Sequence, residues 1–195
     1  MVTEIVKKQV QLTKIAGICG ILIPVVFLGS IAVAMSLSPW FRWTNNAISD
    51  LGVEGIAAII FNNGVIIAGI LTLIFSIGLT KILSNKIGGY FLSMSGISLI
   101  FVGIFPEALF IPHYISSVAF FGFLSVSLLV LSFTIKKNPF EKNMGALAFI
   151  FVIFAGIALY LLTVFNGIAI PEAFACFPAL FWCAMYGLKM TFTTV

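Results

Sequence analysis

The sequence predicts an all-α integral membrane protein: a bundle of six membrane-spanning helices with both termini in the cytoplasm. Three observations carry this. Of the 195 residues, 62% are hydrophobic and only 8% are charged, whereas a soluble domain has about 25% charged residues. Six apolar runs each approach or exceed the ~20 residues a helix needs to cross a ~30 Å hydrocarbon core. The lysines fall on alternate connections between those runs, as the positive-inside rule requires.

The first run, residues 15–36, follows a basic lead with Lys7, Lys8 and Lys14. It is too long for the ~7–15-residue apolar core of a cleaved signal peptide, so it reads as a retained helix. The remaining spans are Ile56–Thr80, Ile87–Phe105, Pro112–Ile135, Met144–Phe165 and Pro171–Met190. All are assigned as helices. Lipid cannot satisfy free backbone groups, and the alternation of a transmembrane barrel is absent. The spans use up the length, giving one six-span domain over residues 1–195.

With the N-terminus inside, Lys7, Lys8, Lys14, Lys81, Lys86, Lys136, Lys137, Lys142 and Lys189 are all cytoplasmic, and Arg42 alone is outside. Asp50, Glu54, Glu107 and Glu172 lie outside, Glu4 and Glu141 inside. Trp40, Phe41 and Trp43 fall where the first span leaves the membrane, as an interfacial aromatic belt does. A multi-pass protein of the cell membrane is expected. The net charge of +4 is spread over short loops and forms no basic face, which argues against nucleic acid.

Four of the connections are short and force antiparallel neighbours. Only the first outer loop, 37–55, is long, and its apolar residues predict that it lies against the outer end of the bundle. In the last span Ala175, Ala179, Cys183 and Gly187 recur every four residues, a small-residue stripe that lets backbones approach in lipid. Gly64 and Gly69, with Ser93 and Gly96, offer similar contacts in spans two and three. Cys19, Cys176 and Cys183 lie in apolar runs without ligand-like spacing and read as small buried residues.

Chemistry-bearing residues gather at the predicted outer end: Arg42, Asn45, Asn46, Ser49, Asp50, Glu54, Asn62, Asn63, Glu107, His113, Asn166 and Glu172. They come from all three outer connections and could converge over the bundle axis. His113, the one histidine, opens span four. Beside Asp50 or Glu107 it could act as a general base, or Asp50, Glu107 and His113 could hold a divalent metal. Its structural alternative is a hydrogen-bonded brace for the first outer loop. Asp50, in AISDLG, reads equally as a turn acid bonding local amides or as a carboxylate held at the bundle mouth. One of Asn62 and Asn63 should face inward and find a partner in the first outer loop. Arg42, Trp40 and Trp43, with Ser49 and Asn63, could bind lipid head groups or a partner. Glu54 reads as a solvated helix-start acid.

GIFPEALF (103–110) and GIAIPEAF (167–174) echo one another. Proline at the first helical position with glutamate in the first turn is a general helix-start signal, which accounts for both. The motifs of hydrolases, zinc proteases, phosphate loops and dinucleotide folds are absent. A single histidine rules out a multi-histidine site within the chain. No charge sits at mid-span, which weakens a proton-coupled transporter.

The run ISDLG, then FNNGVIIAG, then GIFPEA, then a histidine opening the next helix, resembles the six-span membrane proteins grouped as domain-of-unknown-function family 998. The resemblance runs from the first span to Trp182. It matches Ser49, Asp50, Gly52, Asn63, Gly64, Gly103, Pro106 and His113 to the family's recurring positions and implies that Ser49, Asp50 and His113 share one site. A fainter likeness is to the eukaryotic autophagy-modulator and lipid-remodelling six-span proteins.

Three functions compete. The leading expectation is a non-catalytic membrane component or accessory subunit whose outer patch binds lipid head groups or another membrane subunit. An enzyme on a membrane amphiphile would use Asp50, Glu107 and His113. A transporter of a small amphiphilic solute would need a continuous cavity to the midplane.

Overall fold

The computed structural model describes residues 2–192. It is helical throughout, with six helices long and apolar enough to cross a membrane. These are α1 (Val2–Ser36), α2 (Gly55–Ile82), α3 (Ile87–Ile104), α4 (Phe110–Thr134), α5 (Pro139–Leu161) and α6 (Ala169–Phe192). A short 3-10 turn, Ile48–Gly52, interrupts the long first connection. Six antiparallel passes bring the start of α1 and the end of α6 to one face, called here the terminal face. The connections α1–α2, α3–α4 and α5–α6 lie on the opposite, loop face. All nine lysines fall toward the terminal face.

The helix bounds differ from the sequence expectation where polar residues cap them. At 35 residues α1 is about 52 Å long. That exceeds the hydrocarbon core, and the basic lead simply continues the helix beyond the membrane. Helix α5 starts at Pro139 and not Met144, because Asn138 caps it: the Asn138 side chain accepts the Glu141 N–H at 2.9 Å. Helix α4 starts at Phe110, placing Pro112 in its first turn, where no amide donor is needed. Pro24 and Pro178 lie inside α1 and α6, each removing one ladder donor without ending its helix.

Each helix packs on its neighbours in the chain and α6 closes the ring onto α1. Small residues set the closest approaches. A side chain at Gly187 would meet Gly17 O at 2.6 Å, and one at Gly69 would meet Gly96 O at 2.9 Å. The α6 stripe therefore packs on α1 and Gly69 of α2 on Gly96 of α3, close approaches of the kind the small residues offer, whereas Gly64 packs on Ser30 of α1. Side chains of α1, α2, α3, α4 and α6 fill the axis. Helix α5 lies outside it, tied to the terminal face by Lys189–Glu141 at 3.2 Å and by Trp182 Nε1 donating to Met144 O at 2.9 Å.

Packing along the axis is incomplete. A cavity of about 40 Å³ sits beneath the loop face, lined by Ser49, Ser117, Glu172, Cys176 and apolar side chains. A second of about 20 Å³ lies deeper, reaching Leu92, Ser95 and Cys183. Phe27, Leu99, Phe120 and Cys176 wall both.

Candidate functional site: the clamped outer loop

The first connection folds into the mouth of the bundle. Phe41, Ala47, Ile48, Ser49 and Leu51 are buried, so the alternation of apolar and polar residues in this loop is spent on docking it. Its middle pairs with the α5–α6 connection: Gly167 N donates to Thr44 O at 2.9 Å and Ala169 N to Asn46 O at 2.8 Å. A side chain at Gly167 would strike the Asn45–Asn46 backbone, so glycine is what permits this approach. Gly55 turns the chain into α2 with φ +72°, the left-handed conformation that glycine adopts without strain.

Two consecutive residues of the 3-10 turn each donate to a carboxyl from another element, and the third is itself a carboxylate. Ile48 N donates to Glu172 Oε2 at 2.7 Å, from α6. Ser49 Oγ donates to Glu107 Oε2 at 2.7 Å, from the α3–α4 connection. Asp50 accepts locally: Ala47 N and Asn46 Nδ2 both donate to its Oδ2 at 2.9 Å. The turn reading of Asp50 thus describes one of its oxygens. Glu107 also stands near the Asp50 carboxyl.

The Glu107 carboxyl is pushed above the usual carboxylate range. Burial is the main cause and the neighbouring Asp50 adds to it; the Ser49 hydroxyl and the His113 ring pull the other way. Glu172, also near both acids, turns its side chain to the upper cavity.

His113 is buried at the same end. Its Nδ1 pairs with Phe105 O at 2.7 Å. A carbonyl only accepts, so Nδ1 carries a proton there, and Nε2 pairs with Ser117 Oγ at 3.3 Å. The ring therefore braces the α3–α4 connection that carries Glu107, and not the first outer loop. Among the described residues no group of three His, Cys, Asp or Glu side chains is arranged to hold a metal ion.

The predicted outer constellation divides in two. Ser49, Asp50, Glu107, Glu172 and His113 come together under the loop. Asn62 faces inward and donates to Gly52 O at 2.9 Å, the loop partner expected for one of the asparagine pair. Asn63 is exposed and bonds its own helix at Ile59 O. Arg42, Asn45, Glu54 and Asn166 are exposed, Trp40 is exposed and Trp43 half-buried. Arg42 Nη1 donates to Pro39 O and Phe41 O, both at 2.9 Å.

Sequence reasoning placed Glu172 in the outer constellation but gave it no role at the site, and did not single out Ser117. The signal for Glu172 was the PEA echo. Glu107 does not start a helix; it precedes α4 by three residues, and Pro171 is the third residue of α6. The two glutamates of the echo instead grip adjacent residues of one turn from two sides.

Fold and site together define a class: a six-span helical membrane protein whose first loop is clamped by acids into the bundle mouth. The family model described as "Protein of unknown function (DUF998)" matches residues 21–189, and the chain belongs to that family. No curated protein and no solved structure matches it.

Proposed function

We infer that the protein is a non-catalytic component of the cell membrane, with its termini in the cytoplasm, whose exofacial loop docks anionic phospholipid head groups. The single observation behind this is the state of Arg42. It is the one cation on the loop face, exposed beside Trp40. Two carbonyls hold its Nη1, which orients the guanidinium. Nε and Nη2 have no protein partner among the described residues, and that edge offers the parallel pair of donors that suits a phosphate. Trp40 and Trp43, edge-on to Phe41 at 6.3 and 5.5 Å, supply an amphipathic ring belt at the same depth.

The enzyme reading needs a route to Asp50 and Glu107 from the loop face, and the transporter reading a continuous cavity from that face to the midplane. The folded loop covers that face, and its hydrogen bonds occupy the acids. The orientation assigned here rests on nine lysines lying toward the terminal face.

Lipid retention by the purified protein tests the reading. The protein would be extracted from membranes holding phosphatidylglycerol and phosphatidylcholine, and the lipids that remain bound measured by native mass spectrometry. Wild type should retain phosphatidylglycerol preferentially. Arg42→Ala should lose the preference, and Arg42→Lys should keep only part of it, because lysine is a point charge without the fork. Equal retention by wild type and Arg42→Ala would remove the head-group role.

A further inference from the structure

We propose that the two axial cavities form one binding site for a slender amphiphile: a single alkyl chain ending in a hydrogen-bond donor, either a hydroxyl or an ammonium. The donor end sits at Glu172 and the chain runs down the bundle axis. The shape suits a chain. Phe27, Leu99, Phe120 and Cys176 wall both cavities, so only these side chains separate one from the other. On α6 the lining runs from Glu172 to Cys183, about 16 Å at ~1.5 Å per residue. The room is narrow. Volumes of about 40 and 20 Å³ hold roughly four or five water-sized groups, enough for methylenes in single file and too little for two chains abreast. An apolar cavity of this kind stays dry and takes up an apolar guest.

The chemistry is graded along the same axis. Thr72 and Ser95 reach the lower cavity, but their hydroxyls are spent on Ala68 O and Leu92 O of their own helices. The upper cavity carries the free polar groups, Ser117 and Glu172. Glu172 Oε2 takes the Ile48 N–H, and among the described residues Oε1 takes no hydrogen bond from the protein. An acceptor is thus left at the head of an apolar shaft. Asp50 and Glu107 stand near it, and among the described residues no lysine or arginine pairs with any of the three acids. A carboxylate or phosphate end would meet unbalanced negative charge there, whereas a hydroxyl or ammonium is drawn in. The folded loop closes the mouth, so entry is sideways from lipid. Helix α5 buries Glu141, Met144, Gly145 and Ala148 in its terminal half but only Ala158 in its loop half, and α4 and α6, which face each other across the cavity, touch little. The loop half of α5 is therefore the loosest wall between the cavity and the bilayer. None of this rests on Arg42.

Photolabelling tests the site. A hexanol bearing a diazirine on its chain, with the matching amine and carboxylic acid, would be irradiated with the full chain in detergent micelles at about pH 8, where the amine and the acid are both ionised. Adducts would be located by mass spectrometry. Labelling on the axis, around Phe120 of α4 and Cys176 of α6, would be divided by labelling at the outward-facing Ile59 and Ile153, which removes differences in partition into the micelle. The alcohol and the amine should each label the axis about tenfold more than the acid, because like charges in a poorly solvated site repel strongly, and unlabelled hexanol should compete. Glu172→Gln keeps an acceptor oxygen and removes the charge, so it should spare the alcohol and weaken the amine. Cys176→Leu should fill the neck between the cavities and abolish axial labelling by all three probes. Leu99→Phe fills the same neck from α3 and serves should the first variant not fold. Axial labelling by the acid equal to that by the alcohol, adducts confined to outward-facing positions, or axial labelling that survives both filling variants overturns the site.

Discussion

At the scale of single residues, the loop is held by a few polar contacts made where water is scarce. Removing Glu172 leaves the Ile48 N–H without an acceptor, which costs about 1–3 kcal/mol for a buried donor. Glu172→Ala should lower the thermal midpoint of the purified protein accordingly, and Glu172→Gln, which keeps an acceptor oxygen, should lower it less. Glu107 makes stability depend on pH with a defined sign. Its folded-state carboxyl is raised, so the folded chain holds more protons than the unfolded one across the window above the ordinary carboxyl range. Stability from this group is full below that range and is lost as pH rises through the raised value. Thermal scans at a series of pH values should show that decline in wild type and a shallower one in Glu107→Gln. His113 was legible as a residue worth naming, because an ionisable ring near membrane depth stands out in an apolar chain. Its partners were not, since Phe105 O is a backbone atom and carries no residue-specific signal.

At the scale of elements, what could be read in advance followed from period and length. Apolar runs gave the six helices, and small residues marked faces of α2, α3 and α6 open to close packing, without saying which helix each would meet. The ends were less legible: Asn138 and Pro139 start α5 through a side-chain cap, a polar event outside the apolar pattern. The echo between 103–110 and 167–174 was visible, but the physics that makes proline and glutamate a helix start hid its use. Here the glutamates act on another element, and only tertiary structure brings that element to them. Two substitutions probe the element contacts. Gly69→Leu should pry α2 from α3 and cost about 1–3 kcal/mol by overpacking, since Ile100 N and Gly96 O lie within 3 Å of any added side chain. Gly167→Ala should push the Thr44–Asn46 segment of the loop off the α5–α6 connection, seen as a lowered thermal midpoint that Glu172→Ala does not lower much further, because both changes undo the same docking.

At the scale of the molecule, the chain is a ring of helices with one end closed by its own first loop. Charge sidedness, the most legible property of the sequence, predicts the orientation of that end. In intact cells an impermeant thiol reagent should label Asn45→Cys and spare Ser84→Cys, which lies in the α2–α3 connection on the opposite face, until the membrane is permeabilised; the reverse pattern would invert the topology. Whether the mouth was plugged or open could not be read from composition, because buried and exposed loops of this length look alike until their backbone partners are known. The most direct test is amide hydrogen exchange by mass spectrometry across the first loop at about pH 5, where the carboxyl proton is retained. The clamped loop predicts slow exchange over 48–53, set by the Ile48–Glu172 bond and by burial, together with faster exchange over 40–45, and a marked acceleration of 48–53 in Glu172→Ala. Exchange over 48–53 as fast as over 40–45 in the wild-type protein would contradict it.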